Sequence, residues 1–552
     1  MKAGTGIFAD HRVDADMAMK AAMAVLPVSL TPPAHVPNQP AENPSPAHHP
    51  VSHLATNSVT VLLGSAFGNG LNYLFGLYLA RTLGPVDFGL YALGITVFNI
   101  LVLFAPLGME TAVMKFVSQA GSNGIASVRK TLVSAAGMAA GFGALLSLSL
   151  LWCANPLARE VFGKPDLAPV LVVLALAVPL AALSTILLST MQALGQIRWM
   201  VLIRNGVEPV GKLLLAGIAL SMGFGLGGVL GALLIAFLMS LVLSIGYLKG
   251  STDFRYDQGA VPGGKEIKAL LAFSMPLVVA NLFGIVAPRS DLLAIGAYGA
   301  SSDVAVYAVA SQTSAVLALI LSAFDAAIMP TIGGLSAGQD VAKLKHVSQT
   351  ASRWAFTLSF FMFVQLALFG GDILRLFGPA FEGGAACLVI LASGHLVGSA
   401  AVSSTGIVLM SGRSKTVMTI AIVVAVVLIS SNLILVPQFG ILGAAWATSF
   451  CVAMSSVLCV IAAYRCSGFI PYCRRHLKPL GAATLSLAAG FLLKSALVEG
   501  NALLLAPVVA GVYVGALLAM GVDDNDRRAF VSLFRGAQPM RRAWSVGWSA
   551  DR

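Results

Sequence analysis

The 552-residue sequence predicts an all-α membrane protein of about fourteen transmembrane helices. They are expected to form two pseudo-symmetric six-helix lobes facing a central cavity, plus two C-terminal helices. Three observations point there. Hydrophobic residues make up 57% of the chain and charged residues 10%, against about 25% charged in soluble domains. The apolar runs are long and continuous, whereas barrel strands give short alternating segments. A pattern in the first half also returns in the second.

Residues 1–57 come first and differ from the rest. They are rich in Pro, Ala and His, as in TPPAHVPNQPAENPSPAHHP from Thr31 to Pro50. Such a stretch cannot bury enough apolar surface to fold, so a disordered cytoplasmic extension is expected. His35, His48, His49 and His53 do not have the spacing of a metal site, and no metal or other cofactor is expected anywhere in the chain.

Six candidate spans follow in residues 58–248, beginning near Ser58, Phe88, Val128, Ala168, Met200 and Leu226. After a cytoplasmic linker at 249–268, six more occupy 269–465, beginning near Ala269, Val304, Ser352, Ala385, Lys415 and Ile441. Two additional spans in 466–520 begin near Leu480 and Ala502, and 521–552 form a cytoplasmic tail. With the N-terminus inside, the outer loops hold Arg81, Arg159, Lys164, Arg375 and Lys494, while most other Lys and Arg fall on the inner side. That asymmetry places both termini in the cytoplasm. It assigns the net charge of +11 to an anionic inner leaflet rather than to nucleic acid. The cysteines show no CxxC spacing; Cys153, Cys387, Cys451 and Cys459 fall in or near spans, with Cys466 and Cys473 on the cytoplasmic side. They read as packing residues or reduced thiols rather than a disulfide framework.

The repeat is seen best at RTLGPVDFGLYAL, Arg81 to Leu93, which is echoed by AYGASSDVAVYAV, Ala297 to Val309. Asp precedes Tyr by the same step in both (Asp87 and Tyr91, Asp303 and Tyr307). The ETAVM of Glu110 to Met114 matches the DAAIM of Asp325 to Met329, and Phe162-Gly163 matches Phe377-Gly378. Gly195 matches Gly412, and GVLGA from Gly228 matches GILGA from Gly440. Each copy holds six spans, an even number, so the halves share one topology and are related by an axis along the membrane normal. The loop after span 1 must reverse the chain in few residues. Pro85 suits a turn, Gly84 and Gly89 permit close approach, and Asp87 is expected to cap span 2.

These residues resemble the bacterial polysaccharide and O-antigen flippases, the Wzx-type transporters of the multidrug/oligosaccharidyl-lipid/polysaccharide exporter superfamily. RTLGPVDFGLYAL is similar to that family's signature. Arg289-Ser-Asp291 with Gly296, Gly299 and Tyr307 resembles its seventh span and following loop, and LVPQFGILGAAWATSF (Leu435 to Phe450) its eleventh-to-twelfth span junction. The likeness covers roughly residues 58–520. It implies a flippase in the cell membrane that moves lipid-linked oligosaccharide, on undecaprenyl pyrophosphate, to the outer leaflet for exopolysaccharide or O-antigen biosynthesis by alternating access. The partners it implies are that substrate, membrane lipids and the polysaccharide polymerase or export machinery, with no nucleic acid.

A pyrophosphate headgroup needs cations and hydrogen-bonding groups along its path. Arg289 and Asp291 lie in span 7 after Pro288, which can distort the helix locally; Arg289 either faces the cavity and binds phosphate or snorkels to headgroups. Arg204, Glu208 and Lys212 in span 5 fall four apart on one face, so they are either part of a cationic cavity or a self-neutralising ladder. Pro209 adds a possible kink. Asn69, Asn72, Tyr73 and Gly76 form one stripe of span 1, suited to sugars or to close helix packing with Gly64 and Gly68. Glu110 and Asp325, equivalent in the repeat, are gate candidates or solvated interface groups. The loop GAVPGGKE, Gly259 to Glu266, nearly spells a P-loop, but Glu266 replaces the required Ser or Thr and no strand precedes it, so ATP binding is rejected.

Three rivals remain. A cation-coupled multidrug or small-molecule exporter of the same superfamily would favour an acidic cavity, yet span 1, Ser58 to Ala80, has no acidic residue. A lipid II flippase is a variant of the same class. An enzyme of the pathway would need a catalytic constellation, and the sequence offers neither a carboxylate pair nor a nucleophile motif, so no enzyme is expected.

Overall fold

The computed structural model describes residues 50–120, 125–251, 268, 270–275, 278, 286–337, 340–472, 476–496 and 502–521. Residues 1–49 and 522–552 and the GAVPGGKE loop lie outside these residues; residues 50–57, expected to be disordered, instead begin the helix Pro50–Phe104. The described residues are mostly helical, with short turns between the helices and without strands. Eight of their helices are long and apolar enough to cross a membrane.

Two of the eight are pairs of spans run together. Pro50–Phe104 breaks at Gly84 (φ 76°, ψ 176°), between spans 1 and 2. Ser414–Ser467 breaks at Gly440 (φ 56°, ψ −134°), between spans 11 and 12. Both φ values are readily reached only without a Cβ. Gly84 is therefore where the chain reverses, as the sequence predicts. Gly89 serves a different purpose: a Cβ there would lie 1.8 Å from the carbonyl oxygen of Ser301, so span 2 touches the start of span 8 backbone to backbone. The expected cap on span 2 is corrected. Among the described residues Asp87 accepts no hydrogen bond, whereas its counterpart Asp303 accepts the N–H of Ala300 at 2.9 Å.

The repeat reappears in three dimensions as the same neighbours. In the first half span 2 packs on spans 3 and 4, span 3 on span 4, and span 4 on span 6. In the second half span 8 packs on spans 9 and 10, span 9 on span 10, and span 10 on the helix holding spans 11 and 12. Spans 13 and 14 pack on each other and on span 9, with the Tyr513 hydroxyl donating to the Thr357 carbonyl at 2.8 Å and Lys494 paired with Asp372 at 2.9 Å. They add to the flank of the second lobe. Small polar side chains join helices inside each lobe, as with Ser184 and Ser240 at 2.9 Å, the usual means of association where lipid removes the hydrophobic drive.

Prolines mark the irregular turns. Span 5 takes a π-helical turn at Leu202–Val207, ending two residues before Pro209, whose missing N–H already interrupts the ladder. In span 7 a 3₁₀ turn, Ala287–Arg289, contains Pro288 and leads into the helix Ser290–Tyr298.

Candidate functional site

The site is best approached from span 1. Its glycines are used for packing: a Cβ on Gly64 would strike Val201, one on Gly68 would meet Asn205, both in span 5, and one on Gly76 would meet Gln312 in span 8. The remaining surface divides in two. Leu63, Phe67 and Leu74 are 58%, 59% and 51% exposed. At about 100° per residue they lie opposite Asn69 and Asn72, which are exposed as well. One open side of the helix is therefore apolar and the other carries amides. Asn72 donates to the Gly68 carbonyl at 3.0 Å, and its own carbonyl accepts from Gln312 at 3.4 Å.

Tyr73 turns toward the second lobe. Its hydroxyl lies 3.3 Å from that of Thr313, and its ring meets Phe377 edge-on at 5.5 Å. Phe88 meets Phe381 in the same way at 6.1 Å. Leu93 fills the space that a side chain at Gly296 would need. These contacts, together with Gly89 on Ser301, close the two lobes at the end carrying Gly84, called the outer end after its sequence assignment. At the opposite end the Lys115 ammonium lies 4.2 Å from the Phe273 ring centroid.

One further crossing closes the outer end. Lys164, between spans 3 and 4, donates to the carbonyls of Phe162 at 3.1 Å, of Gly299 at 2.8 Å and of Gly296. Burial pushes its ammonium below the ordinary lysine value, and the Asp303 carboxylate opposes that shift.

The charged residues of the spans separate into buried or paired groups and exposed ones. Lys212 and Glu208 are paired at 2.6 Å, with side chains 14% and 17% exposed, and the Phe237 ring lies 4.6 Å from the ammonium. Asp291 is buried: Tyr307 donates to one oxygen at 2.7 Å and the Leu292 N–H to the other at 2.6 Å. Tyr307 also lies 3.3 Å from Thr448, and beside this cluster Asn432 donates to Ser290 at 2.9 Å, so spans 7, 8, 11 and 12 share polar partners. Arg204 and Arg289 are both exposed. Glu110 is within electrostatic reach of Arg204. Asp325 accepts the N–H of Ser403 at 3.0 Å, where span 10 breaks at a residue with φ 76°. A carboxylate there satisfies backbone that the break leaves open.

Sequence reasoning missed Gln312, Thr313, Phe377, Phe381 and the use of Lys164. Gln312 and Thr313 follow the repeated Tyr307 motif on span 8, a signal that was present. Phe377 belongs to the repeated Phe-Gly pair and Phe381 follows it closely. Lys164 follows the first Phe-Gly, where the second copy has Pro379.

The comparisons with known proteins agree with this architecture. The family model described as "Polysaccharide biosynthesis protein" matches residues 54–336, and the MatE model matches residues 276–434. The chain is 26% identical over 414 residues to the "Probable low-salt glycan biosynthesis flippase Agl15" of Haloferax volcanii, spanning 73% of this chain and 82% of that protein. It is 26% identical over 270 residues to the succinoglycan biosynthesis transport protein ExoT of Rhizobium meliloti, spanning 48% and 50%. Among solved structures, the lipid II flippase MurJ in an inward closed conformation matches with a TM-score of 0.66 at 15% identity, covering 87% of this chain and 99% of that one. An inward-facing multidrug resistance MATE family transporter of the MOP superfamily matches with a TM-score of 0.63 at 16% identity, covering 74% and 98%. At these identities the two structures share the fold. With a model match over more than half its length, the chain belongs to the polysaccharide biosynthesis protein family.

Proposed function

We propose that this protein is a flippase that carries lipid-linked oligosaccharide, on undecaprenyl pyrophosphate, across the cell membrane for surface-polysaccharide assembly. The observation that carries the mechanism is the double face of span 1. Amides exposed on the side away from the apolar face, inside a membrane bundle, require a wet cleft. That cleft lies between the lobes, where alternating access would expose it to each side in turn. Asn69, Asn72 and Gln312 supply hydrogen bonds suited to sugar hydroxyls. Arg204 and Arg289 supply the cations for the phosphates, because a guanidinium matches phosphate geometry with paired donors. Lys212 is matched by Glu208 and acts as part of the lobe. Glu110 balances Arg204 near the inner end, and Asp325 holds the break in span 10.

The named functions of the relatives, glycan and succinoglycan transport, support this cargo. Both chain ends lie in the cytoplasm on this reading, as the Lys and Arg distribution favours; reporter fusions at each terminus test that orientation. Polysaccharide polymerase or export machinery would take the product on the far side.

The decisive experiment depletes the protein in its native cell and assays lipid-linked oligosaccharide by leaflet. The flippase reading expects intermediates stranded on the cytoplasmic side. Intact surface glycan with a changed drug sensitivity would replace it with the multidrug exporter, and arrested cell-wall synthesis with accumulated lipid II would replace it with the lipid II flippase.

A further inference from the structure

We propose that Lys164 is the latch of the outer closure: a single ammonium from the first lobe that holds the carbonyl end of span 7 in the second lobe, and that must let go before the outer end can open.

The turn that presents Lys164 is built in detail. A π-helical turn, Leu157–Val161, ends span 3. Gly163, at φ 61°, then reverses the chain. The backbone of Lys164 is held on both sides, its N–H donating to Ala158 at 2.7 Å and its carbonyl accepting from Leu167 at 3.0 Å. The side chain therefore starts from a fixed point.

An ammonium has three N–H donors and no acceptor. Here all three have carbonyl partners, Phe162 in its own lobe and Gly296 and Gly299 in the other. Gly299 is the C-cap of the helix Ser290–Tyr298, and the last carbonyls of a helix carry its partial negative charge. A cation placed there satisfies backbone that the helix leaves open. Asp303, which caps the following helix through Ala300, adds a carboxylate nearby.

The bonds cross between lobes, so they report lobe separation directly. A hydrogen bond of this kind is gone once the heavy atoms part beyond about 3.5 Å, so a small outward movement of span 7 breaks the contact. The released ammonium then regains water. Burial in the closed form disfavours the charged ammonium, so opening returns hydration that closure removed. The second copy of the repeat has no counterpart, because Pro379 stands where a matching lysine would be. Lys164 is thus a positioning residue, distinct from the groups assigned to cargo.

The test introduces Thr313→Cys, a buried position behind the closed seam, and measures its labelling by a membrane-impermeant maleimide applied from outside, against the parent without that cysteine. Lys164→Met should raise the labelling rate about ten-fold, the shift expected when one state loses a bias of that size. Lys164→Arg, which keeps the charge and the donors, should restore protection. Unchanged labelling in Lys164→Met, or equal labelling in the Met and Arg variants, overturns the proposal. If Lys164→Met does not accumulate, unmodified protein in detergent decides: Lys164 should acylate more slowly than Lys343, whose side chain is 75% exposed, and equal rates overturn the latch. Labelling reads the opening itself and the leaflet assay reads the cargo, so failure of the latch and failure of the flippase reading are separable.

Discussion

The turn after span 3 and the turn after span 9 occupy equivalent places in the two copies of the repeat, and they join the lobes with different chemistry. The first reaches across with the ammonium of Lys164 and ends on backbone carbonyls. The second reaches back with Phe377 and Phe381, which meet Tyr73 and Phe88. Each begins with the same Phe-Gly pair, and each glycine has a positive φ, 61° at Gly163 and 138° at Gly378. Duplication has preserved where the turns go and left their tips free to differ. The aromatic contact is dry and needs close shape matching, whereas the ionic contact is directional and can be exchanged for water. One side of the seam is therefore suited to act as a fulcrum and the other as a catch.

Substitutions can break or sharpen that contrast. The largest effect is expected at Phe381, which is 1% exposed: Phe381→Ala should cost about 3–5 kcal/mol by the usual penalty for emptying a buried aromatic site, seen as a marked drop in the thermal midpoint of the purified protein. Gly89→Ala should come next, because its Cβ would collide with the backbone of Ser301 and backbone cannot swing aside. About 1–3 kcal/mol of overpacking strain should appear as faster labelling of the Thr313→Cys reporter without gross unfolding. Tyr73→Phe removes only the hydroxyl contact to Thr313 and keeps the ring on Phe377, so about 0.5–1.5 kcal/mol is expected, read as a small drop in the thermal midpoint of the protein with Thr313 intact. Glu382→Gln should be the mildest. Its pair with Arg375 spans 3.0 Å, but both side chains are largely exposed, so roughly 0–1 kcal/mol is expected and high salt should erase it. A larger effect from Glu382→Gln than from Phe381→Ala would invert the contrast and make the second turn the ionic one.

The bundle was legible because most spans announce themselves by a long apolar run, and because Gly84 and the repeat both stand out against that background. Pro288 and Pro209 foretold irregular turns for the same reason, a local steric rule acting within a few residues. Pairings between distant spans were less legible. Asp291 and Tyr307 both stood in one motif, yet their hydrogen bond depends on how spans 7 and 8 fold back on each other. Asp325 read as a gate candidate or an interface group from its symmetry with Glu110, while its bond to Ser403 depends on a break in span 10 that no proline or glycine at that residue signals. Lys164 was visible only as an external positive charge, because its acceptors are main-chain oxygens, and every residue type supplies those.

Span 1 leaves one mechanical demand on the molecule. Its inner half is moored to span 5 through Gly64 and Gly68, and its outer half to span 8 through Gly76. A rod tied to two hulls cannot follow both when they drift apart. Each stroke must either flex it over the short stretch from Asn69 to Phe75 or cast off one mooring, which makes these few residues the place where the lobes' motion is absorbed.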